Sequence, residues 1–457
     1  MRLGAFTGWL AFAASDPISM ELTRESRDMR QRVVIIGGGV AGLEVASSLG
    51  RRWRGKPGQP SITLVDRDSA HVWKPMLHTI AAGTRDISQQ QATFIAQAHD
   101  AGFTYQPGEL HGLDRNARTV ELAAIHAPDG RLLVPARRLE YDLLVLAFGS
   151  QANDFGTPGV VEYCYSIDSR RQADAFNREL RLRLLQSLAQ ETELSIAIVG
   201  GGATGVELAA ELVQLFETTA AYGVPGLASR ISVTLLEGGP RLLAAFPEDI
   251  SADTLARLEG LGIRVMTGTQ VKAANTDGFV LGDGSQLPAS LKIWAAGVRA
   301  PAIGAGLDGL ETNRNNQLVV KPTLQTTRDP AIFALGDCSS LAMEPGGRPL
   351  PPTAQVAHQQ ARHLIRCLPR ALRGEPIGDF AYRDLGALVS LGDYDAFGSL
   401  GQFGLFKGVT FRGRLAQLSH VMLYRSHQAR IHGFWRGGLL WLVDRINSRV
   451  RATVRLD

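Results

Sequence analysis

At 457 residues, with 45% hydrophobic and 20% charged positions and 50 glycines, the chain has room for two or three domains with cores of their own, and its composition excludes a disordered or multi-span membrane protein. Its three cysteines, Cys164, Cys338 and Cys367, form no C-x-x-C pair, which argues against a disulfide scaffold, a zinc knuckle and a dithiol redox centre. The formal charge of +4 gathers at the C-terminus, where Arg425, Arg430, Arg436, Arg445, Arg449, Arg451 and Arg455 face only Asp444 and Asp457; such a tail points toward an anionic surface, either nucleic acid or membrane.

The chain begins with an apolar run, Gly4 to Ala14, that imitates a secretory signal, but the cleavage region is weak and the polar stretch "ELTRESRDMRQR" follows. Residues 1–30 read as a leader outside the fold, with Met29 directly before the first strand. Val33 to Ile36 is wholly apolar and β-branched, the mark of a buried parallel strand. Glycines and a helical pattern through Leu49 follow, and then the strand "SITLVD", Ser61 to Asp66. A further buried strand, "YDLLVLAFGS", ends in the Pro/Gly-rich link "NDFGTPGV". A charged helix is expected over Asp168 to Leu188. Strand Ile196 to Val199, a second glycine turn, a helix and the strand "ISVTLLE" ending at Glu237 then repeat the opening unit. Gly37 and Gly200, Gly42 and Gly205, and Glu44 and Glu207 share one offset, so the unit is an internal duplication.

Gly37, Gly39 and Gly42 make a G-x-G-x-x-G turn between strand and helix. Its glycines allow the tight turn, close approach to a pyrophosphate and close helix packing, and the helix N-terminus adds positive potential. Asp66 at the next strand end suits a ribose. Gly200, Gly202, Gly205 and Glu237 meet the same test, and the Glu237 carboxylate favours NADH because it repels the extra phosphate of NADPH; Arg241 is the nearest cation that could offset this. Two cradles could hold two nicotinamides, but one flavin and one nicotinamide make a relay, since a flavin accepts hydride and passes electrons onward.

"HVWKPMLHTIAAG", "NDFGTPGV", "WAAGVRAPA", "FALGDCSS" and "LPPTAQVAHQQA" together resemble the two-dinucleotide-binding-domain flavoproteins, and within them the bacterial type II NADH:quinone oxidoreductases. The resemblance spans roughly Gln31 to Arg370, and the tail from Leu423 to Ile446 is similar as well. It implies an α/β fold of two Rossmann-like domains: a non-covalent FAD domain (31–152 and 303–376), an inserted NADH domain (153–302), and a C-terminal membrane-associating region (377–457) of hairpin and amphipathic helices. It further implies that Asp66 and Asp337 contact FAD, that Trp73, Lys74 and Pro75 lie near the isoalloxazine, and that Ala147, Gly149 and Ser150 close over it. Gly297 and Ala354 are implied as further cofactor contacts. Gln355 and Gln359, an A-Q-x-x-x-Q element, would face the quinone; an amide suits a quinone carbonyl without adding charge to an apolar pocket.

Glu207 has two readings: a carboxylate steadied by the helix dipole, or a group that orients the nicotinamide or assists proton delivery to the quinone. Its counterpart Glu44 weakens a uniquely catalytic role. No histidine is assigned as a proton donor. From Ile431 an apolar stripe, Ile431, Phe434, Trp435, Leu439, Leu442, Ile446 and Val450, is expected on one helix lying in a bilayer interface, peripheral on the cytoplasmic face; a core contact or a homodimer would use the same stripe. The relay selects membrane over nucleic acid, since a long-tailed quinone arrives from the bilayer. The expected activity is non-proton-pumping NADH:quinone oxidoreduction. A sulfide:quinone reductase, which would need sulfur-carrying cysteines, a non-catalytic FAD/NADH-sensing membrane protein and a soluble NADH oxidase or ferredoxin reductase are the alternatives.

Overall fold

The computed structural model describes residues 30–84, 92–221, 226–344, 346–392, 394–399 and 410–450. The apolar run Gly4–Ala14, Arg451 and Arg455 lie outside the described residues.

Val33, Val34, Ile35 and Ile36 are all buried, because their strand runs through the middle of a parallel sheet covered on both faces. The order across that sheet is Ile332–Ala334, Leu143–Leu146, Arg32–Ile36, Ser61–Asp66, Thr104–Pro107. All its pairings are parallel, so a strand from late in the chain completes the first domain. The strand Leu194–Val199 is central to a second parallel sheet, between Ile231–Leu236 and Leu291–Trp294, with Arg264–Met266 beyond. In each sheet the first strand has neighbours on both sides, so a crevice opens at its carboxyl end where the chain direction of the connections divides. The passages between the domains, Gln151–Ala152 and Val298–Arg299, pair with each other.

The charged helix runs Arg170–Gln190, two residues later than the pattern suggested. Ser169 accepts from the backbone N–H of Gln172 and caps the helix. Asp168 therefore stays outside and accepts from the N–H of Ala152 in the passage strand.

The C-terminal region grips both domains. Ala387–Leu391 and Asp395–Ser399 form the expected hairpin, and a third strand, Thr410–Arg412, extends it. Val389, Leu391 and Phe397 enter the core of the second domain, and Arg412 pairs with Asp249 and Asp253 there. The helix Arg414–His432 packs on these three strands and also on the helix Val40–Trp53 of the first domain, and Gly433 separates it from the helix Phe434–Val450. The single apolar stripe expected from Ile431 is thus corrected. Ile431 belongs to the earlier helix and is buried in the first domain's core, while Trp435, Leu439, Leu442 and Ile446 are exposed. The side chains of Phe434 and Val450 lie outside the description.

Candidate active site

Space at the glycines separates their three roles. A Cβ on Gly37 would stand 2.3 Å from the carbonyl oxygen of Ala147, and one on Gly42 would stand 1.8 Å from that of Gly37, whereas Gly39 would meet nothing within 4 Å. The outer two glycines are therefore required by the protein's own packing, and the middle one leaves room for a ligand to approach the backbone. In the second turn Gly200 would meet the carbonyl of Ala295 at 2.6 Å, Gly205 that of Gly200 at 2.0 Å, and Gly202 again nothing. Gly149 and Gly297 occupy the facing loops, both with left-handed backbone.

The strand-end acids are built into these turns. Asp66 accepts from the N–H of Gly38 at 2.6 Å and of Asp68 at 2.8 Å, and burial raises its pKa. Glu237 accepts from Gly201 at 2.7 Å and Gly239 at 2.6 Å. Arg241 is not a phosphate partner here: its guanidinium donates to the carbonyls of Leu243, Ala244 and Phe246 and to Ser251 Oγ. The cation that could have offset Glu237 is thereby engaged by its own loop, and NADH remains the nucleotide the second cradle fits.

Lys74, Ser150 and Asp337, far apart in sequence, meet beside the first cradle. Lys74 Nζ donates to Ser150 Oγ at 2.8 Å and to its carbonyl at 3.1 Å, and Ser150 Oγ donates to Asp337 Oδ2 at 2.7 Å. Two glutamines that escaped the sequence reading support this corner. Gln317 Nε2 donates to the carbonyl of Asp337, and Gln360 Oε1 accepts from the N–H of Gly336. Gln360 sits on the buried face of the helix Ala354–Ala371 with Ala357, Ala361 and Leu364; its position one residue past Gln359 was the available signal. Trp73 is buried against Tyr424 and His427 of the helix Arg414–His432.

Ala354 opens its helix behind the Thr353 cap, and Gln355 and Gln359 follow on one face. Their amides are engaged rather than free. Gln355 donates to Tyr382 OH and the carbonyl of Gly386 and accepts from Leu385 N–H, and Gln359 exchanges two bonds with the backbone of Arg383. Together they hold the segment Tyr382–Gly386 across the end of the helix.

Glu207 is buried in the helix Ala203–Ala221. Ser390 N–H of the C-terminal hairpin donates to its Oε1 at 3.0 Å, and His78 Nδ1 lies 3.4 Å from Oε2. Burial, with the neighbouring Glu211 carboxylate, pushes its pKa up to about 8 against the lowering effect of the Ser390 bond, so it carries a proton through the neutral range. Its counterpart Glu44 meets basic side chains instead, with His358 Nδ1 at 2.6 Å and Arg430 Nε at 3.9 Å. Ser390 did not stand out in the sequence, and His78 falls in one of the family-like segments with no role assigned to it.

The two thiols that could have carried sulfur, Cys164 and Cys338, are poorly suited to it. Burial pushes both Cys164 and Cys338 up to about 12, and Cys338 Sγ donates to the carbonyls of Leu335 and Leu146. Both therefore stay protonated, and the thiolate is the nucleophilic form.

Two cradles of one geometry, each closed by an acid that holds its own turn, with a buried proton-carrying carboxyl behind the second, define a flavin- and nicotinamide-linked oxidoreductase. The pyridine nucleotide-disulphide oxidoreductase family matches residues 31–361. A type II NADH:quinone oxidoreductase of Haemophilus influenzae is 41% identical over 445 residues, covering 93% of this chain and 100% of that protein. One from Staphylococcus saprophyticus is 30% identical, covering 81% and 89%. The chain belongs to the pyridine nucleotide-disulphide oxidoreductases and, within them, to the type II NADH:quinone oxidoreductase family. The same fold occurs in the NDH2 of Plasmodium falciparum in complex with NADH (TM-score 0.78, 19% identity, 93% of this chain and 100% of that one). It occurs also in the sulfide:quinone oxidoreductase of Aquifex aeolicus (TM-score 0.68, 19% identity, 88% and 92%).

Proposed function

We propose that this chain oxidises NADH and reduces a membrane quinone, with NADH on the second cradle and FAD on the first, and moves no protons across the membrane. The observation that carries the reading is the pair of complete cradles, each with open space at its middle glycine and a carboxylate fixed beside it. FAD, when bound, supplies a two-electron acceptor that passes its electrons on to quinone.

The residues divide the work. Glu237 and the N–H groups around Gly202 orient the nucleotide, and Asp66 does the same for the FAD adenosine end. Lys74, Ser150 and Asp337 make a hydrogen-bonded corner for the polar part of FAD, and Trp73 with Ala147 and Gly149 bounds its ring. Glu207 holds a proton at Oε2, beside His78, where the quinol's proton can be drawn. Gln355 and Gln359 shape the acceptor side through the segment they hold.

The enzyme lies on the cytoplasmic face of the membrane, bound through the helix Phe434–Val450. That helix exposes Trp435, Leu439, Trp441, Leu442 and Ile446 beside Arg436, an aromatic and basic composition suited to an interface. Among the described residues no helix is long and apolar enough to cross a membrane. Removal of residues 434–457 should abolish flotation with anionic liposomes; if that removal instead splits a dimer and leaves flotation intact, the face is a subunit contact.

Anaerobic mixing with NADH and then a soluble quinone analogue tests the reaction. NADH should bleach the flavin band and quinone restore it; reduction without quinone-dependent reoxidation would remove the acceptor assignment.

A further inference from the structure

His71 is buried, and its Nδ1 lies 2.8 Å from the carbonyl oxygen of Gly38, inside the first cradle. A carbonyl only accepts, so His71 Nδ1 carries the proton of that bond. In the neutral ring Nε2 is then an acceptor, and it lies 2.9 Å from Nε2 of His427. His427 must donate there, which leaves its Nδ1 as a bare lone pair; that atom is indeed buried without a hydrogen-bond partner. Burial holds His71 down to about 4. It also holds His427 well below its usual range, with His71, Arg430, His358 and His432 opposing a charge there too. The pair is therefore neutral, with one direction of donation: His427 to His71 to Gly38.

His427 belongs to the helix Arg414–His432. It stacks on Trp73 with ring centroids 5.4 Å apart and planes 16° apart, and Tyr424 lies against the same indole. Arg51 donates to the carbonyls of Arg430 and Ile431, and Gln97 meets His432 at 2.8 Å. Gly38 is held from both sides, its N–H by Asp66 and its carbonyl by His71. The Gly38 carbonyl and the Gly39 N–H share one trans peptide and point in opposite directions. Drawing the carbonyl toward His71 thus aims the Gly39 N–H away from the buried histidine, as a phosphate-binding turn requires.

We propose that the helix Arg414–His432 is a working wall of the FAD site: through His427 and His71 it sets the peptide between Gly38 and Gly39, so that docking of this helix and retention of FAD are coupled. The inference rests on FAD occupying the first cradle. Coupling of this kind is reciprocal: FAD should tighten the helix, and the helix should tighten FAD. The segment that leads into the exposed C-terminal helix thereby reports on whether the cofactor is in place.

Hydrogen exchange on the wild-type chain, stripped of FAD and then reloaded, tests this without any variant. FAD should slow amide exchange at residues 37–42 and also at 414–432. Slowing at 37–42 alone overturns the coupling, and slowing at 200–205 in place of 37–42 overturns the reading on which it rests. His427→Phe keeps a ring against Trp73 but cannot donate to His71, and an unpaired buried acceptor of this kind should raise the FAD dissociation constant about tenfold. The double variant His71→Phe, His427→Phe should bind FAD no more weakly than His71→Phe alone, because one chain of bonds is broken in each. A folded His427→Phe with FAD affinity within twofold of wild type would overturn the inference, as would full additivity of the two substitutions.

Discussion

The two cradles match closely at their glycines: the Cβ positions of Gly42 and Gly205 come within 1.8 and 2.0 Å of the carbonyls of Gly37 and Gly200, and Gly39 and Gly202 both face open space. Two residues further on they part. Glu44 faces His358 and Arg430 and ties its helix to the helices Ala354–Ala371 and Arg414–His432. Glu207 faces His78, Glu211 and the N–H of Ser390, and keeps its proton. A duplicated turn carries its backbone geometry with it because the contacts of Gly42 and Gly205 are internal to the turn and those of Gly37 and Gly200 fall on equivalent facing loops. The glutamate's role is set by whatever packs against it, and here different elements arrived on the two sides. The helix dipole that both carboxylates share cannot explain either role by itself.

The largest effects should come from the glycines that the packing requires. Gly42→Ala should cost about 1–3 kcal/mol through overpacking and release FAD, read as a colourless protein with a lowered melting temperature. Gly205→Ala should carry a similar stability cost yet keep its FAD. Equal loss of FAD in both variants would break the division of labour between the cradles.

Smaller effects follow at the strand-end acids. Glu237→Gln should raise KM for NADH roughly 10- to 100-fold, as loss of charge-assisted hydrogen bonds to a ribose implies, with FAD retention unchanged. Asp66→Asn should do the reverse, weakening FAD while leaving KM for NADH near wild type in the loaded enzyme. Steady-state kinetics beside FAD titration distinguishes the two.

A separate effect, read against pH, belongs to Glu207. Its folded pKa of about 8 lies above the ordinary 4.5, so between these values the folded state holds a proton that the unfolded state releases. Wild-type stability should therefore fall as pH rises through that window and level off above it. Glu207→Gln lacks this slope, so its melting temperature should gain on wild type from pH 5 to pH 8. Parallel curves would show that Glu207 is ionised in the fold.

Much of this was legible along the chain because it is local. The β-branched run Val33–Ile36, the glycine spacing and the acids at Asp66 and Glu237 each act within one strand–turn–helix unit. The partners of the glutamates were not legible. Ser390 lies 183 residues from Glu207, and His427 lies 356 from His71, so only the docking of the C-terminal region brings them together. The amphipathic stripe failed at Gly433 for the same reason: Ile431 has the right spacing but is claimed by the first domain's core. Gln355 and Gln359 share one helix face, and the segment that takes up their amides came from a stretch without any periodic signal.

The central claim, that one fold holds a donor and an acceptor on two copies of one turn, is tested most directly by the anaerobic absorption spectrum of Gly205→Ala. The protein should be isolated yellow, should fail to bleach with excess NADH, and after reduction by dithionite should be reoxidised by a quinone analogue at the wild-type rate. Bleaching by NADH at the wild-type rate, or isolation without FAD, would contradict it.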